Sequence, residues 1–142
     1  MATPSAAHWS ERPVGRARRN HLIIADDHED MRWLVRKLVG VQFSRVDEDA
    51  DGRMLLWRLL RTDFADERER LVVIADAAMP IYNGLDVLHA TSDLLEHVPI
   101  IVITAFPSPA TEVRVAALGG ILLAKPFAAD ELIAAVERAR ML

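Results

Sequence analysis

Short apolar runs alternate with amphipathic stretches from residue 21 to the C-terminus. The runs predict five strands, at 21–25 (HLIIA), 42–46 (QFSRV), 71–75 (LVVIA), 99–104 (PIIVIT) and 121–124 (ILLA). The stretches between and after them predict five helices, at 30–40, 53–62, 85–96, 109–118 and 129–142. Ser108 followed by Pro109 suits the cap and first position of the fourth helix.

This alternation is typical of an α/β domain in which helices cover both faces of a parallel sheet. The third run is apolar at every position, as expected for a strand that is buried on both faces. We therefore expect a doubly wound, five-stranded (βα)5 sheet of the flavodoxin-like type, with strand order 2-1-3-4-5. The domain should span residues 21–142, and residues 1–20, rich in Ala, Ser, Pro and Arg, should form a flexible basic tail.

Composition narrows the function classes. The chain has 142 residues, of which 51% are hydrophobic and 27% charged, as in a single globular domain. Its net charge of −4 argues against direct nucleic-acid binding, and the absence of Cys excludes disulfides and thiolate metal sites. No apolar run is long enough to span a membrane, and the N-terminus lacks the apolar core of a signal peptide. We expect a cytoplasmic protein without membrane contact.

Polar residues end or directly follow four of the five predicted strands. Asp26 and Asp27 follow the first strand, Asp76 the third, Thr104 ends the fourth, and Lys125 follows the fifth. Ligands of open parallel sheets bind outside the carboxyl ends of the strands, and neighbouring strands lie about 4.8 Å apart, so the three carboxylates should crowd together. Two like charges about 4 Å apart repel by roughly 4 kcal/mol at an effective dielectric constant near 20. Crowded oxygen ligands favour a hard cation, and Mg²⁺ fits best.

The same residues suit phosphoryl chemistry. Lys125 can hold a phosphate as a point charge, and the Thr104 hydroxyl can donate to a phosphoryl oxygen. The Asp76 carboxylate then resembles a nucleophile that attacks phosphorus and becomes an aspartyl phosphate.

The motifs around these residues resemble the receiver domain of two-component response regulators, of the single-domain chemotaxis type. "IIADDHEDMR" resembles the acidic pair of that family, and "DAAMP" followed by "NG" resembles its phosphoacceptor segment. Thr104-Ala105 and "KPF" at 125–127 resemble its remaining site segments. The resemblance runs from Leu22 to the C-terminus.

The resemblance implies a role for each matching residue. Asp76 would be the phosphoacceptor, and Thr104 and Lys125 would contact the phosphoryl group. Mg²⁺ would be bound by Asp76, directly by Asp27, largely through water by Asp26, and by the backbone carbonyl of Ala78. The Lys125–Pro126 peptide bond would be cis.

The resemblance also implies a function. The chain would be a stand-alone receiver, not an enzyme, that takes a phosphoryl group from a sensor histidine kinase or a histidine phosphotransfer protein. Phosphorylation would switch a surface on helix 4, strand 5 and helix 5 that binds a downstream target protein or a second copy of the chain. The alternative is a receiver domain from a larger regulator with a DNA-binding or enzymatic output domain.

Three positions depart from the family pattern. Ala78 and Phe106 stand where many receivers carry side chains that assist hydrolysis, so we expect slow self-dephosphorylation. Leu122 replaces the usual aromatic residue of the fifth strand, so coupling to the interaction surface can differ.

Other classes fit the sequence less well. A haloacid-dehalogenase-type phosphatase needs a second acid at position 78, which is Ala, and a nucleotide or flavin binder needs a phosphate-binding loop where "ADDHED" is acidic. A receiver that is never phosphorylated would not need the acids and the lysine. The histidines show no metal-ligand spacing, and we expect Arg32 to lie on a solvated helix face, and Trp33 and Trp57 to pack in the core or on helix surfaces.

Overall fold

The structure, a computed structural model, describes residues 19–64 and 69–142. Five strands and five α-helices alternate along the chain. In order, they are β1 (Arg19–Ala25), α1 (Glu29–Val39), β2 (Arg45–Asp49), α2 (Gly52–Arg61), β3 (Glu69–Asp76), α3 (Gly84–Ala90), β4 (Ile100–Thr104), α4 (Pro109–Ala117), β5 (Ile121–Ala124) and α5 (Ala129–Met141). A short 3₁₀ helix, Gly40–Gln42, follows α1.

The strands form one parallel sheet in the order β2-β1-β3-β4-β5, which confirms the predicted fold class and topology. The chain reverses its direction of winding between β1 and β3, so the crevice beside this pair is the switch point of the sheet. Ala25 pairs with Ala75, and Asp76 pairs with Ile103. The carboxyl ends of β1, β3 and β4 therefore lie side by side.

Each face of the sheet has its own hydrophobic core, because successive side chains of a strand point to opposite faces. On one face Val73 and Val102 pack with residues of α2, α3 and α4, such as Leu88. On the other face Ile24 and Ile74 pack with residues of α1 and α5. Both faces of the central strands are thus covered, as the apolar runs indicated.

The predicted position of β2 at 42–46 is wrong. Gln42 belongs to the 3₁₀ helix, and the strand runs from Arg45 to Asp49. β2 is an edge strand. Its sequence, RVDED, is mostly charged because its acidic side chains are paired with cationic side chains, so it does not form an apolar run. Asp49 is only 1% exposed and accepts two hydrogen bonds from the Arg58 guanidinium, at 2.8 and 2.9 Å.

The third helix is shorter than predicted, because α3 ends at Ala90 and residues 91–97 form turns. The hydroxyl of Thr91 donates to the carbonyl of Val87 at 2.9 Å. Such a bond offers the backbone an alternative to continuing the helix. His97 closes the segment with a positive φ of 69°.

The N-terminal boundary also needs correction, since Arg19 and Asn20 belong to β1 rather than to a tail. The remainder of the predicted tail, residues 1–18, lies outside the described residues. The start of the fourth helix is confirmed: Ser108 is the N-cap, its side chain accepts a hydrogen bond from the Thr111 N–H, and Pro109 follows it.

Replacement of Arg58 by Met should destabilise the protein by about 3 kcal/mol, because the buried Asp49 carboxylate loses its bidentate partner. Urea unfolding would measure the loss. The matched control is Arg53→Met on the same helix, where the side chain is 67% exposed and its contact with Asp51 is 4.0 Å long. The control should change stability by less than about 0.5 kcal/mol. Equal effects of the two substitutions would contradict this account of the edge strand.

Candidate functional site

Three carboxylates converge at the carboxyl ends of β1 and β3. Asp26 and Asp76 are buried, with 2% and 7% of their surface exposed, whereas Asp27 is open to solvent. Ligand atoms from these acids and from His28 all lie within 4.8 Å of one another. The crowding expected from the strand ends is therefore present in the structure.

Lys125 is the cation that faces the buried acids. Its Nζ donates to Asp76 Oδ2 at 2.8 Å and to Asp26 Oδ2 at 3.4 Å. Its backbone N–H donates to the carbonyl of Thr104 at 2.8 Å, which fixes the start of the loop after β5. The Lys125–Pro126 bond is cis, as expected.

Burial and charge act in opposite directions on these groups. Burial raises the pKa of the Asp26 carboxyl, and the nearby charge of Asp76 raises it further, against the opposing hydrogen bonds from the His28 N–H and from Lys125. Burial alone would lower the pKa of Lys125, but its hydrogen bond to Asp76 and the charge of Asp26 outweigh that effect and raise the pKa. The pKa of both groups is therefore raised, that of Asp26 chiefly by burial and that of Lys125 by its two acidic partners.

Each buried carboxylate is oriented by the backbone that follows it. Asp26 Oδ1 accepts from the N–H of His28 at 2.9 Å, and Asp76 Oδ1 accepts from the N–H of Ala78 at 3.0 Å. These are Asx turns, which Asp forms readily two residues ahead of itself. One oxygen of each carboxylate is bound to its own loop, and the other faces Lys125.

Arg32 does not lie on a solvated helix face as expected. Its side chain is 16% exposed and donates to the carbonyl of Asp26 at 2.8 Å and to Glu48 Oε1 at 3.0 Å. Arg36 binds the other oxygen of Glu48 at 2.7 Å. The two arginines of α1 thereby tie the end of β1 to the edge strand, and Arg32 helps to fix the backbone that carries the first acid.

Thr104 and Ala78 border the same crevice. Thr104 is buried at the end of β4, one residue beyond the partner of Asp76, and its hydroxyl oxygen accepts from the N–H of Phe106 at 3.1 Å. The side chain of Phe106 is 84% exposed, so it stands in solvent rather than over the acids. Neither Ala78 nor Phe106 brings a polar side chain to the site. Trp33 and Trp57 are exposed on α1 and α2 and stack with Lys37 and Arg61 respectively.

Sequence reasoning missed His28. Its Nδ1 lies 3.3 Å from an oxygen of Asp26 and 3.3 Å from an oxygen of Asp27, and its side chain is 70% exposed. A metal-binding histidine is usually recognised by a second histidine at helical spacing. His28 instead lies beside the acids Asp26 and Asp27 of its own loop and beside Asp76, which is distant in sequence. The run Asp26-Asp27-His28 at a strand end was the available signal.

The loop after Asp76 is held by two glycines. A Cβ on Gly84 would lie 2.0 Å from the carbonyl oxygen of Asp76, and a Cβ on Gly52 would lie 1.9 Å from the carbonyl oxygen of Tyr82. The Gly52 N–H also donates to the Pro80 carbonyl at 3.2 Å. Ile81 adopts a φ of 73°, which is unfavourable for a β-branched residue. Close backbone contacts therefore impose the path of this loop.

The model of the response regulator receiver domain family matches residues 22–137. That range includes the three acids of the site, Thr104 and Lys125. The chain belongs to the response regulator receiver family. It is thus a receiver domain of two-component signalling. Domains of this family accept a phosphoryl group and are generally not catalytic enzymes.

Relatives include both long and short regulators. The chain is 29% identical over 119 residues to the DNA-binding transcriptional regulator NtrC of Azospirillum brasilense, covering 83% of this chain and 24% of that protein. It is 31% identical over 114 residues to the response regulator MprA of Mycolicibacterium vanbaalenii, covering 80% of this chain and 47% of that protein. The chain therefore spans less than half of each of these two relatives.

A solved structure shows the same fold. The chemotaxis response regulator CheY4 of Vibrio cholerae superposes with a TM-score of 0.70 at 25% identity, and the match covers 85% of this chain and 98% of that one. Within residues 19–64 and 69–142, no helix is both long and apolar enough to cross a membrane.

The receiver family binds Mg²⁺ in an acidic pocket, and the donors present here fit that ion. Asp26, Asp27 and Asp76 offer carboxylate oxygens from three separate side chains within a few ångströms. Oxygen donors, with room for water on the open side beside Asp27, are what Mg²⁺ requires.

Replacement of Gly84 by Ala should destabilise the protein by about 2 kcal/mol or more, because the new methyl group would collide with the Asp76 backbone. Gly40→Ala is the matched control, since its Cβ would lie 3.2 Å from the Arg36 side chain and 3.7 Å from that of Val46, with no backbone atom as close as in Gly84. Thermal or urea unfolding of the two variants checks the difference. A Gly84→Ala variant as stable as Gly40→Ala would show that this close contact does not hold the loop.

Proposed function

We propose that the chain receives a phosphoryl group on Asp76 from a phosphohistidine of a sensor kinase or a phosphotransfer protein. The observation that supports it best is the position of Asp76, buried at the switch point with one oxygen 2.8 Å from the Lys125 ammonium. A structural acid would need only one partner, whereas here two buried carboxylates share a single lysine and the Asp27 carboxylate lies close to both of them.

The transfer is an in-line displacement at phosphorus. An oxygen of the Asp76 carboxylate forms a bond to phosphorus as the P–N bond to the donor histidine breaks. The departing imidazole nitrogen keeps the electron pair and takes up a proton. The product is an aspartyl phosphate and a neutral histidine.

Lys125 and Thr104 hold the transferred group. The Lys125 ammonium is already 2.8 Å from Asp76, so it can shift its hydrogen bond to a phosphoryl oxygen as charge moves outward. The Thr104 hydroxyl, at the end of the adjacent strand, can donate to a second oxygen. Thr104 ends β4 and Lys125 directly follows β5, so both donors stand at the carboxyl ends of their strands.

Asp27, Asp76 and the Ala78 carbonyl are the proposed direct ligands of Mg²⁺, with Asp26 acting largely through water. The bound ion supplies positive charge that offsets repulsion between the carboxylates and the incoming phosphoryl oxygens. Asp26 and Asp27 keep the local potential negative, which favours a cation at this place.

The proposed output is a change in the surface formed by α4, β5 and α5. A charge-assisted bond from Thr104 to the phosphoryl group is worth about 1.5–3 kcal/mol, enough to shift a two-state surface about ten- to a hundredfold. The surface would bind a downstream target protein or a second copy of the chain. Leu122 is half-buried on β5, where an aromatic switch residue is expected.

Two settings for this receiver are open to test. We favour a stand-alone cytoplasmic receiver, supported by CheY4, of which the match covers 98%. The alternative is a receiver within a larger regulator, as in NtrC, of which the chain covers 24%. In either setting the phosphorylation chemistry of Asp76 would be the same.

Incubation with acetyl phosphate and Mg²⁺ should add the mass of one PO₃H unit to the protein, because Asp76 displaces acetate from phosphorus. Intact mass spectrometry would detect the adduct. The adduct should be lost in Asp76→Asn, and Asp86→Asn, which changes an exposed acid on α3, should leave it unchanged. An adduct that persists in Asp76→Asn would refute the assignment of the phosphoacceptor.

The aspartyl phosphate should be long-lived for this family, because neither Ala78 nor Phe106 can orient an attacking water. Its half-life is measured from the decay of the adduct after removal of the donor. Ala78→Asn places a hydrogen-bonding side chain beside Asp76 and should shorten the half-life, and Ala110→Asn on the exposed start of α4 serves as control. Rapid decay in the unchanged protein would contradict the expectation.

A further inference from the structure

We propose that His28 is an additional side-chain ligand of the cation site and gives it a marked preference for borderline divalent metals such as Ni²⁺ over Mg²⁺. The inference rests on the proposed cation site but concerns a residue to which that function assigns no role. It changes the chemical class of the site from all-oxygen to mixed nitrogen and oxygen.

The geometry around His28 is that of a ligand set. Its Nδ1 lies 3.3 Å from Asp26 Oδ1 and 3.3 Å from Asp27 Oδ1. Adjacent ligands of an octahedral ion with bonds of about 2.1 Å are separated by about 3 Å. The nitrogen and the oxygen of Asp27, a proposed direct ligand, therefore already stand close to the spacing of adjacent ligands, and the Asp26 and Asp76 carboxylates complete a group within 4.8 Å.

The local backbone leaves the imidazole available for this role. His28 is the N-cap of α1, yet its side chain makes no capping hydrogen bond. The ring is 70% exposed and therefore does not pack in the core. Its own N–H fixes Asp26, which couples the position of the ring to that of the first acid.

A nitrogen ligand alters selectivity rather than affinity in general. Mg²⁺ prefers oxygen and holds its waters strongly, so it gains little from an imidazole. Ni²⁺, Zn²⁺ and Cu²⁺ bind imidazole well and exceed other divalent ions in affinity for mixed sites. His28 should therefore raise the affinity for Ni²⁺ while leaving that for Mg²⁺ almost unchanged.

A simpler role for His28 is a hydrogen bond that positions the two carboxylates. This role would affect every cation alike, because all of them use the same oxygens. The ratio of the Ni²⁺ and Mg²⁺ affinities separates the two roles.

The test is isothermal titration calorimetry of the untagged protein with Ni²⁺ and, separately, with Mg²⁺, for the unchanged chain and for His28→Asn. Asn keeps a hydrogen-bonding side chain but lacks the imidazole nitrogen. We expect His28→Asn to weaken Ni²⁺ binding about tenfold or more and Mg²⁺ binding less than twofold. The matched control is His97→Asn, which removes an exposed histidine from the loop before β4 and tolerates its positive φ.

Each outcome decides between the roles. A fall in Ni²⁺ affinity that is specific to His28→Asn supports a ligand. Equal falls for both metals, or no change for either, overturn the inference but leave the Mg²⁺ site and Asp76 phosphorylation intact. Failure of the unchanged protein to bind Mg²⁺ would count against the proposed function itself, and the inference would fail with it.

Discussion

Repulsion among three carboxylates at the carboxyl ends of the central strands is the constraint on which the site depends. Asp26, Asp27 and Asp76 have oxygens within a few ångströms, and Asp26 and Asp76 are shielded from water. Lys125 is the one cation seen to bridge the two buried acids in residues 19–64 and 69–142. One ammonium offsets only part of this repulsion, and the charge that remains favours a second cation at the same place.

The fold maintains this unfavourable arrangement through contacts that lie away from the chemistry. Apolar side chains on both faces of β1 and β3 fix these strands in the sheet and so fix the positions of the acids that follow them. Asx turns hold one oxygen of each buried carboxylate. Arg32 binds the backbone of Asp26, and Gly84 permits close approach to the backbone of Asp76. Stability provided by the two cores is thus used to hold charges that would otherwise separate.

Much of this was readable from the sequence, because buried parallel strands are apolar runs and the residues that end them must be near the crevice. The parallel sheet and the convergence of Asp26 and Asp76 followed from those rules. The strand order was that of the common doubly wound topology, and Ser108 followed from the residue preferences of helix caps. β2 did not, because its acids are paired with Arg58 and other cations rather than with solvent. The end of α3 depends on a hydrogen bond from the Thr91 hydroxyl within the last turn, which the apolar pattern does not show. The group that includes His28 depends on the tertiary proximity of Asp76.

The central claim is tested most directly by urea unfolding with and without Mg²⁺. If the crowded acids form a cation site, free Mg²⁺ at a hundred times its dissociation constant should stabilise the protein by about 2.7 kcal/mol. Asp27→Asn should lose most of that gain, because Asp27 is a proposed direct ligand of the ion. Since Asp27 is exposed, the substitution should leave the fold intact. An unfolding midpoint that Mg²⁺ leaves unchanged, or an equal gain in Asp27→Asn, would contradict the account.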